Sequence, residues 1–396
     1  MRNILAGMAL LVALPCWAQD NSGSHPPAPI VVTGNGLADS ARQLEQCLAR
    51  KCAPPEDIDA SITLAENQLL AGDYRKARAT LAAARDRNGG HRKDYPVEVA
   101  DLERSYGRMT DLDGFPDRAR IAQVDALDTL KGGLDGKDTR VLIQRLTAGD
   151  DFRLVGRTDA ADETYRRVEK QAREAGEPQV AGIAMLRSAA MYTFLASQDS
   201  IFGSTARARI ARIERTTEPE LEQVRIAARV LRARLTGLAG SSDAMDRAIA
   251  NLGNAGFTEP VLVYEDVPLR NGAKAAIRKQ IDSEPEWVDF RFRVAPDGRV
   301  HDLEEVRRSP EISADWANRV RKTVATRRYA PLRLPPGSDG KIRIERFTLV
   351  FDAGDATGSN MSTRASEGRL TWLDITPDQP APSIPPASYV PPRAPF

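Results

Sequence analysis

The chain has 396 residues, with 56 Lys and Arg against 55 Asp and Glu and a formal net charge of +1. The two signs are interspersed, so no field of one sign is available to hold nucleic acid or a strongly anionic membrane. At ~100 to 200 residues per domain the length admits two or more domains, each with its own core, and size alone does not force oligomerisation.

Residues 1–18 read as a secretory signal. Arg2 gives a short positive start, Ile4 to Leu14 is almost wholly apolar, and Cys16-Trp17-Ala18 offers small residues for cleavage after Ala18. The apolar run stops at Pro15, about half of the ~20 residues needed to span a bilayer. Pro15 also suits lipoprotein processing at Cys16 poorly. No later stretch is expected to approach membrane length. The expected location is therefore the periplasm, with an inner-membrane anchor facing the periplasm as the alternative.

Residues 19–55 form a leader rich in Asn, Ser, Gly and Pro to about residue 38, followed by a short helix. The island Ile30-Val31-Val32-Thr33-Gly34 has strand propensity but no partner strand nearby. Gly34-Asn35-Gly36 is too short to cradle a phosphate and lacks a helix-opening context. In an oxidising compartment Cys47 and Cys52 are expected to pair. Five residues of regular helix would hold their Cα atoms beyond the ~7 Å bridging limit. The helix carrying Leu44 and Cys47 is therefore expected to end near Arg50 or Lys51, in keeping with Pro54 and Pro55. A redox or metal pair lacks the CxxC spacing and a nearby histidine.

Residues 56–255 carry helical periodicity. Ile58, Ile62, Ala65 and Leu69 recur at three to four residues, a turn falls at Gly72-Asp73, and Ala77, Leu81 and Ala84 make the next stripe. Leu64-Ala65, Gly72-Asp73-Tyr74, Ala77, Leu81 and Ala84 together resemble one tetratricopeptide unit. A weaker copy surrounds Gly149, Phe152, Gly156, Ala161, Tyr165 and Val168. The two glycine turns lie eighty-four residues apart, not a multiple of the ~34-residue repeat, so an irregular or interrupted array is expected. Further stripes run through Ala184, Ser188, Met191 and Leu195, through Ile226, Val230 and Leu235, and through Met245, Ile249 and Leu252. The resemblance implies an α-solenoid.

The composition changes at Gly256 to Pro260, and residues 258–352 read as a second domain. Val288, Phe290, Phe292 and Val294 alternate with Asp289, Arg291 and Arg293, which predicts a half-buried strand. Pro296-Asp297-Gly298 is a turn, Arg299 to Val306 a second strand, and Ser309 or Ser313 caps a helix bearing Trp316, Ala317, Val320 and Val324. The last strand runs from Lys341 to Phe351. Ile342 and Ile344 have the opposite parity to Phe347, Leu349 and Phe351, which implies a bulge near Glu345-Arg346 or burial on both faces.

This order, with Asp297-Gly298-Arg299-Val300 at the turn, Arg308-Ser309 after the second strand and Arg328-Tyr329-Ala330-Pro331 after the helix, resembles the C-terminal domain of the TonB family. The family's Tyr-Pro opening motif is loosened here to Tyr264-Glu265-Asp266-Val267-Pro268. The expected fold is thus multidomain: an all-α helical-repeat region followed by a small α+β domain. Residues 353–396 read as a polar, Pro-rich tail with one possible strand at Arg369 to Leu373.

For chemistry the sequence offers little. His25, His91 and His301 make no metal or catalytic spacing, and Glu304-Glu305 and Glu218 with Glu220 fit solvated faces and helix starts. No P-loop or dinucleotide fingerprint occurs, so neither cofactor nor metal is expected. The expected function is a non-catalytic adaptor that binds envelope proteins or peptides. The TonB resemblance implies a sheet edge, at Arg343, Ile344, Glu345, Arg346, Phe347, Thr348 and Leu349, that accepts a partner strand. The segment Ile30 to Gly34 resembles the short box that TonB-dependent outer-membrane receptors offer, which makes it a candidate strand donor. A membrane-held energy transducer, disfavoured by the lack of a histidine in the leading apolar stretch, and an enzyme of unknown class are the alternatives.

Overall fold

The computed structural model describes residues 35–239, 242–265, 281, 283–355, 362–365 and 367–377. Helix α1 (Asn35–Ala49) precedes five helix pairs among these residues. They are α2 (Pro54–Ala71) with α3 (Tyr74–Asn88), α4 (Pro96–Leu112) with α5 (Pro116–Gly133), α6 (Thr139–Leu154) with α7 (Thr158–Glu174), α8 (Pro178–Gln198) with α9 (Gly203–Glu214), and α10 (Glu222–Ala239) with α11 (Ser242–Ala250). Proline opens α2, α4, α5 and α8, where its fixed φ and missing N–H do no harm. The α1 start at Asn35 corrects two expectations: the leader ends earlier than residue 38, and Asn35-Gly36 does open a helix. Asn67 holds that start by donating to the Gly36 carbonyl at 3.2 Å.

The first three pairs repeat with a period of forty-two residues. Gly72, Gly114 and Gly156 all have positive φ. Each closes the first helix of its pair by the same two bonds, Gly72 N to Leu69 O and Asp73 N to Gln68 O, then Gly114 N to Asp111 O and Phe115 N to Thr110 O, then Gly156 N to Arg153 O and Arg157 N to Phe152 O. The helix crossings repeat too. Ala65, Gly107 and Gly149 meet the second helices, and a Cβ at Gly107 would lie 2.8 Å from Gln123 Nε2 while one at Gly149 would lie 2.6 Å from Tyr165 Cε1. Ala77, Ala119 and Ala161 are the small residues opposite, all buried. Eighty-four residues is therefore two periods of a longer unit, not an interrupted array of the shorter one. Helix α8 corrects another expectation, because it is long and apolar enough to cross a membrane by length and composition. Here more than half of that stretch is buried, against α7, α9 and α10.

Among the described residues the C-terminal region is a small sheet with one helix. Its elements are β1 (Leu262–Tyr264), β2 (Glu286–Val294), β3 (Val300–Arg308), α12 (Ala314–Ala325), β4 (Arg328–Tyr329), β5 (Lys341–Val350), β6 (Ala353–Asp355), β7 (Ser362–Arg364) and β8 (Arg369–Asp374). The main sheet has the order β3-β2-β5-β8 with every pair antiparallel. Ser313 caps α12 by accepting from Trp316 N at 3.1 Å, while Ser309 instead accepts from Trp287 N at 2.9 Å. Val288, Phe290, Phe292, Val294, Phe347, Leu349 and Phe351 pack with Trp316, Val320 and Val324 of α12 in one core. Each such large side chain withdrawn from water contributes on the order of 2 kcal/mol.

The opposite sheet face is also covered. The β2–β5 register runs without a shift from Glu286 against Leu349 to Val294 against Lys341, so β5 has no bulge and its parity change reflects burial on both faces. Irregularities fall in the β2–β3 ladder instead, with Asp302 at φ 52. Strand β2 is likewise not half-buried at its start, because Asp289 is fully buried and Trp287 joins the core of α2, α3 and α4. Strand β8 extends the sheet past the expected domain end at residue 352.

Candidate functional site

Cys47 and Cys52 form a disulfide with Cα atoms 5.1 Å apart. The chain leaves the helix at Ala49 and passes through Lys51 at φ 52, so the bridge staples the end of α1. The segment Ile30 to Gly34 lies outside the described residues.

Residues Arg343 to Leu349 are not an edge. They sit in β5, paired on one side with β2 and on the other with β8, where Glu345 faces Asp374 and Leu349 faces Leu370. That correction has a clear cause: β8 comes from beyond the expected domain end and takes the backbone groups that an incoming strand would need. The polar side chains of β5 are satisfied internally as well. On the α12 face Glu345 accepts from the buried Arg327, which also reaches Glu265, and Arg343 bridges Glu345 to Asp374 at 3.2 and 3.0 Å.

On the other face the strands hold the helical repeats. Arg346 Nε donates to Asp289 Oδ1 at 2.7 Å, and its Nη groups donate to the carbonyls of Leu69 and Leu70 at the end of α2. Arg307 completes the cluster, donating to Asp289 Oδ2 at 2.6 Å and to Leu70 O at 2.7 Å. The Arg346 guanidinium lies 3.9 Å from the centroid of the Trp287 ring, and that ring fills the space where Gly72 has no Cβ, 2.6 Å from its ideal position. Tyr74 OH meets Thr348 Oγ1 at 2.7 Å. Burial pulls the Arg346 guanidinium down more than any single contact raises it, but hydrogen bonding to Asp289 together with the charges of Tyr74 and Asp289 leaves the group above its ordinary value.

The second pair is gripped in the same manner. Arg369 donates to Asp111 O and Oδ1, both at 2.7 Å, Arg364 donates to Asp113 O at 2.6 Å, and Ala353 N donates to Gly114 O at 2.6 Å. A helix C-terminus carries unsatisfied carbonyls and about half a negative charge, so a buried guanidinium is a fitting cap. Leu69 and Asp111 occupy equivalent repeat positions, and each carbonyl receives an arginine from the sheet.

The sheet region is held at the far end of the array too. Arg234 donates to Leu262 O at 2.6 Å, Arg328 pairs with Asp246 at 2.9 Å, and Val263 and Ala330 share a core with Val230, Met245, Ile249 and Leu252. Contacts to the first, second and fifth pairs make the helices and the sheet a closed circuit.

Other groups named from the sequence lie apart. His91 is exposed after α3, and His301 is exposed on β3. Glu304 pairs with Arg291 and Glu305 with Arg308, while Glu218 faces Arg173. Buried Asp162 and Glu169 on α7 are bound by Arg209 and Arg212 of α9, bracing one helix pair against the next. Sequence reasoning missed the seam residues Trp287, Asp289, Arg307, Arg364 and Arg369. Their one signal was the surplus of large or apolar groups, Trp287 and Ile344, on the supposedly solvated face.

No family model and no curated protein matches the sequence. Among solved structures, the chain is similar to the crystal structure of BtubC (BKLC) from P. vanneervenii, at 15% identity and a TM-score of 0.41, with 62% of this chain and 98% of that chain covered.

Proposed function

We propose that this protein is a non-catalytic periplasmic adaptor, a scaffold that binds envelope proteins or peptides through the surface of a tetratricopeptide-like helical array. The observation that carries the reading is the forty-two-residue periodicity of Gly72, Gly114 and Gly156 together with small residues at the helix crossings of the first three pairs. A stack of hairpins of this kind is built to present an extended surface, and it places its polar groups for structure rather than for converging on a reacting atom. The TonB-like reading of the α+β region rests on its order of strand, turn, strand, helix, strand, and on Gly298 turning at φ 80. Its role in this account is to clasp the array, since β5 is covered on both sides.

Photo-crosslinking in cells tests the reading, with the reactive group placed at Thr63 or Glu66, exposed on α2. Crosslinks to one or a few envelope proteins in the periplasmic fraction support an adaptor. Lack of any crosslink from either position, with a cytoplasmic location of the protein, would refute it.

A further inference from the structure

The strands of the sheet follow the order of the helix pairs. Arg346 of β5 and Arg307 of β3 hold the turn of the first pair, and Arg369 of β8 holds the turn of the second. With the strand order β3-β2-β5-β8, β8 is therefore the edge strand on the side of the third pair. Among the described residues no strand pairs with its outer edge. The chain leaves β8 on that side, and Pro377 is the last described residue.

The turns beyond the second pair carry apolar side chains in solvent. Val155 at the turn of the third pair is 44% exposed, Ile201 at the turn of the fourth 72%, and Leu238 at the end of α10 in the fifth 47%. Aromatic rings stand beside the first two. Arg157 lies over Phe152 at 5.1 Å, and Phe202 is 6.4 Å from Tyr192 between ring centroids. Scattered singly, exposed apolar residues are ordinary. Here they recur at three successive turns, next to the strand from which the chain departs.

We propose that residues 378–396 of the same chain lie along this row as a polyproline II segment, with Ile384 against Val155, Val390 against Ile201 and Phe396 against Leu238. Seven of these nineteen residues are proline, and extended Pro-rich segments dock on aromatic-lined grooves. Polyproline II has three residues per turn and a rise of about 3.1 Å, so Ile384, Val390 and Phe396, six residues apart, share one face at steps of about 19 Å. One step covers the two helix widths, about 8 to 10 Å each, that separate a hairpin turn from the next. From Pro377 to Ile384 the same conformation spans about 22 Å, enough to pass from β8 to the neighbouring pair. Residues 379–392 carry no charge, so Arg153 and Arg157 at the third turn meet no like charge. This is a contact of the chain with itself and stands apart from the adaptor reading.

The test places a photoreactive residue at Ile201 in the purified full-length protein, mixes chains of light and heavy isotope, and identifies the crosslinked peptides by mass spectrometry. The expected product joins position 201 to residues 384–396 of the same molecule, light to light and heavy to heavy. Its yield should fall about tenfold with Val390→Asp, the size of one lost apolar contact. That variant lies outside the described fold, so the core is untouched. Mixed light and heavy products would overturn the proposal by making the occupant a second copy. So would the absence of a product in residues 384–396, or a yield unchanged by Val390→Asp. None of these outcomes bears on crosslinks from Thr63, which test the adaptor reading alone.

Discussion

Arg346 and Asp289, on neighbouring strands β5 and β2, form a doubly bonded ion pair with both side chains almost wholly removed from water, and the arginine carries the pair onto the end of helix α2. The pair is therefore a structural contact between the sheet and the helical repeats. Removing Arg346 leaves the buried Asp289 carboxylate with Arg307 alone and the Leu69 carbonyl without its donor, a loss of about 3 kcal/mol.

Arg346→Met should lower stability by about that amount and loosen the sheet from the first two pairs. Urea unfolding followed by Trp fluorescence will read it, because Trp287 sits in the seam. The double variant Arg346→Met, Asp289→Leu is expected to recover only part of the loss, since Arg307 then loses its carboxylate and the Leu69 carbonyl its donor. A single variant with wild-type stability would show that the seam contributes nothing.

The glycines at repeat turns should differ in tolerance. Gly156→Ala bears only the strain of a positive φ, about 1 kcal/mol. Gly114→Ala bears that strain and a collision with the Phe351 carbonyl, and should cost about 2 kcal/mol more. Thermal melts of the two variants side by side settle the order, and equal losses would contradict the close approach of the sheet to the second pair.

Reduction of the Cys47–Cys52 bridge should lower stability by about 2 kcal/mol, the loop-closure value for so short a ring, and act locally on the end of α1. Hydrogen exchange with and without reductant should show faster exchange in residues 44–52 and no change in β2 or β5.

Asp151 makes stability depend on pH. Its folded value of about 7 lies above the ordinary 3.8, so protonation favours the fold. The contribution is fully present below pH about 3.8 and is lost as pH rises through about 7. Asp151→Asn should therefore stabilise the protein at pH 8, by roughly 2 kcal/mol after allowance for partial exposure, and confer no such gain at pH 3.5. A gain equal at both pH values would show that the carboxyl titrates normally.

The pairing of helices was legible in Ala65, Ala77 and Ala84, because close crossings demand small residues whatever surrounds them. The period was not, because the middle turn, Asp113-Gly114-Phe115-Pro116, lacks the Gly-Asp-Tyr pattern that marks the first. Alternation in β2 and β5 gave the strands, and the parity change at Ile342 and Ile344 held the information that both faces are buried. What the sequence concealed is the seam. Arg307, Arg346, Arg364 and Arg369 look like any solvated arginines until the fold brings helix ends to them, and the pairing of β8 with β5 spans too many residues for local pattern to reveal. The corrected edge at Arg343 to Leu349 follows from that same long-range pairing.

Co-purification from the periplasmic fraction, with the intact mass of the recovered chain, tests the adaptor account most directly. The account predicts a species beginning at Gln19 that retains at least one envelope protein in fixed proportion. An unprocessed chain held in the inner membrane, or a processed chain recovered alone together with a turnover activity of its own, would contradict it.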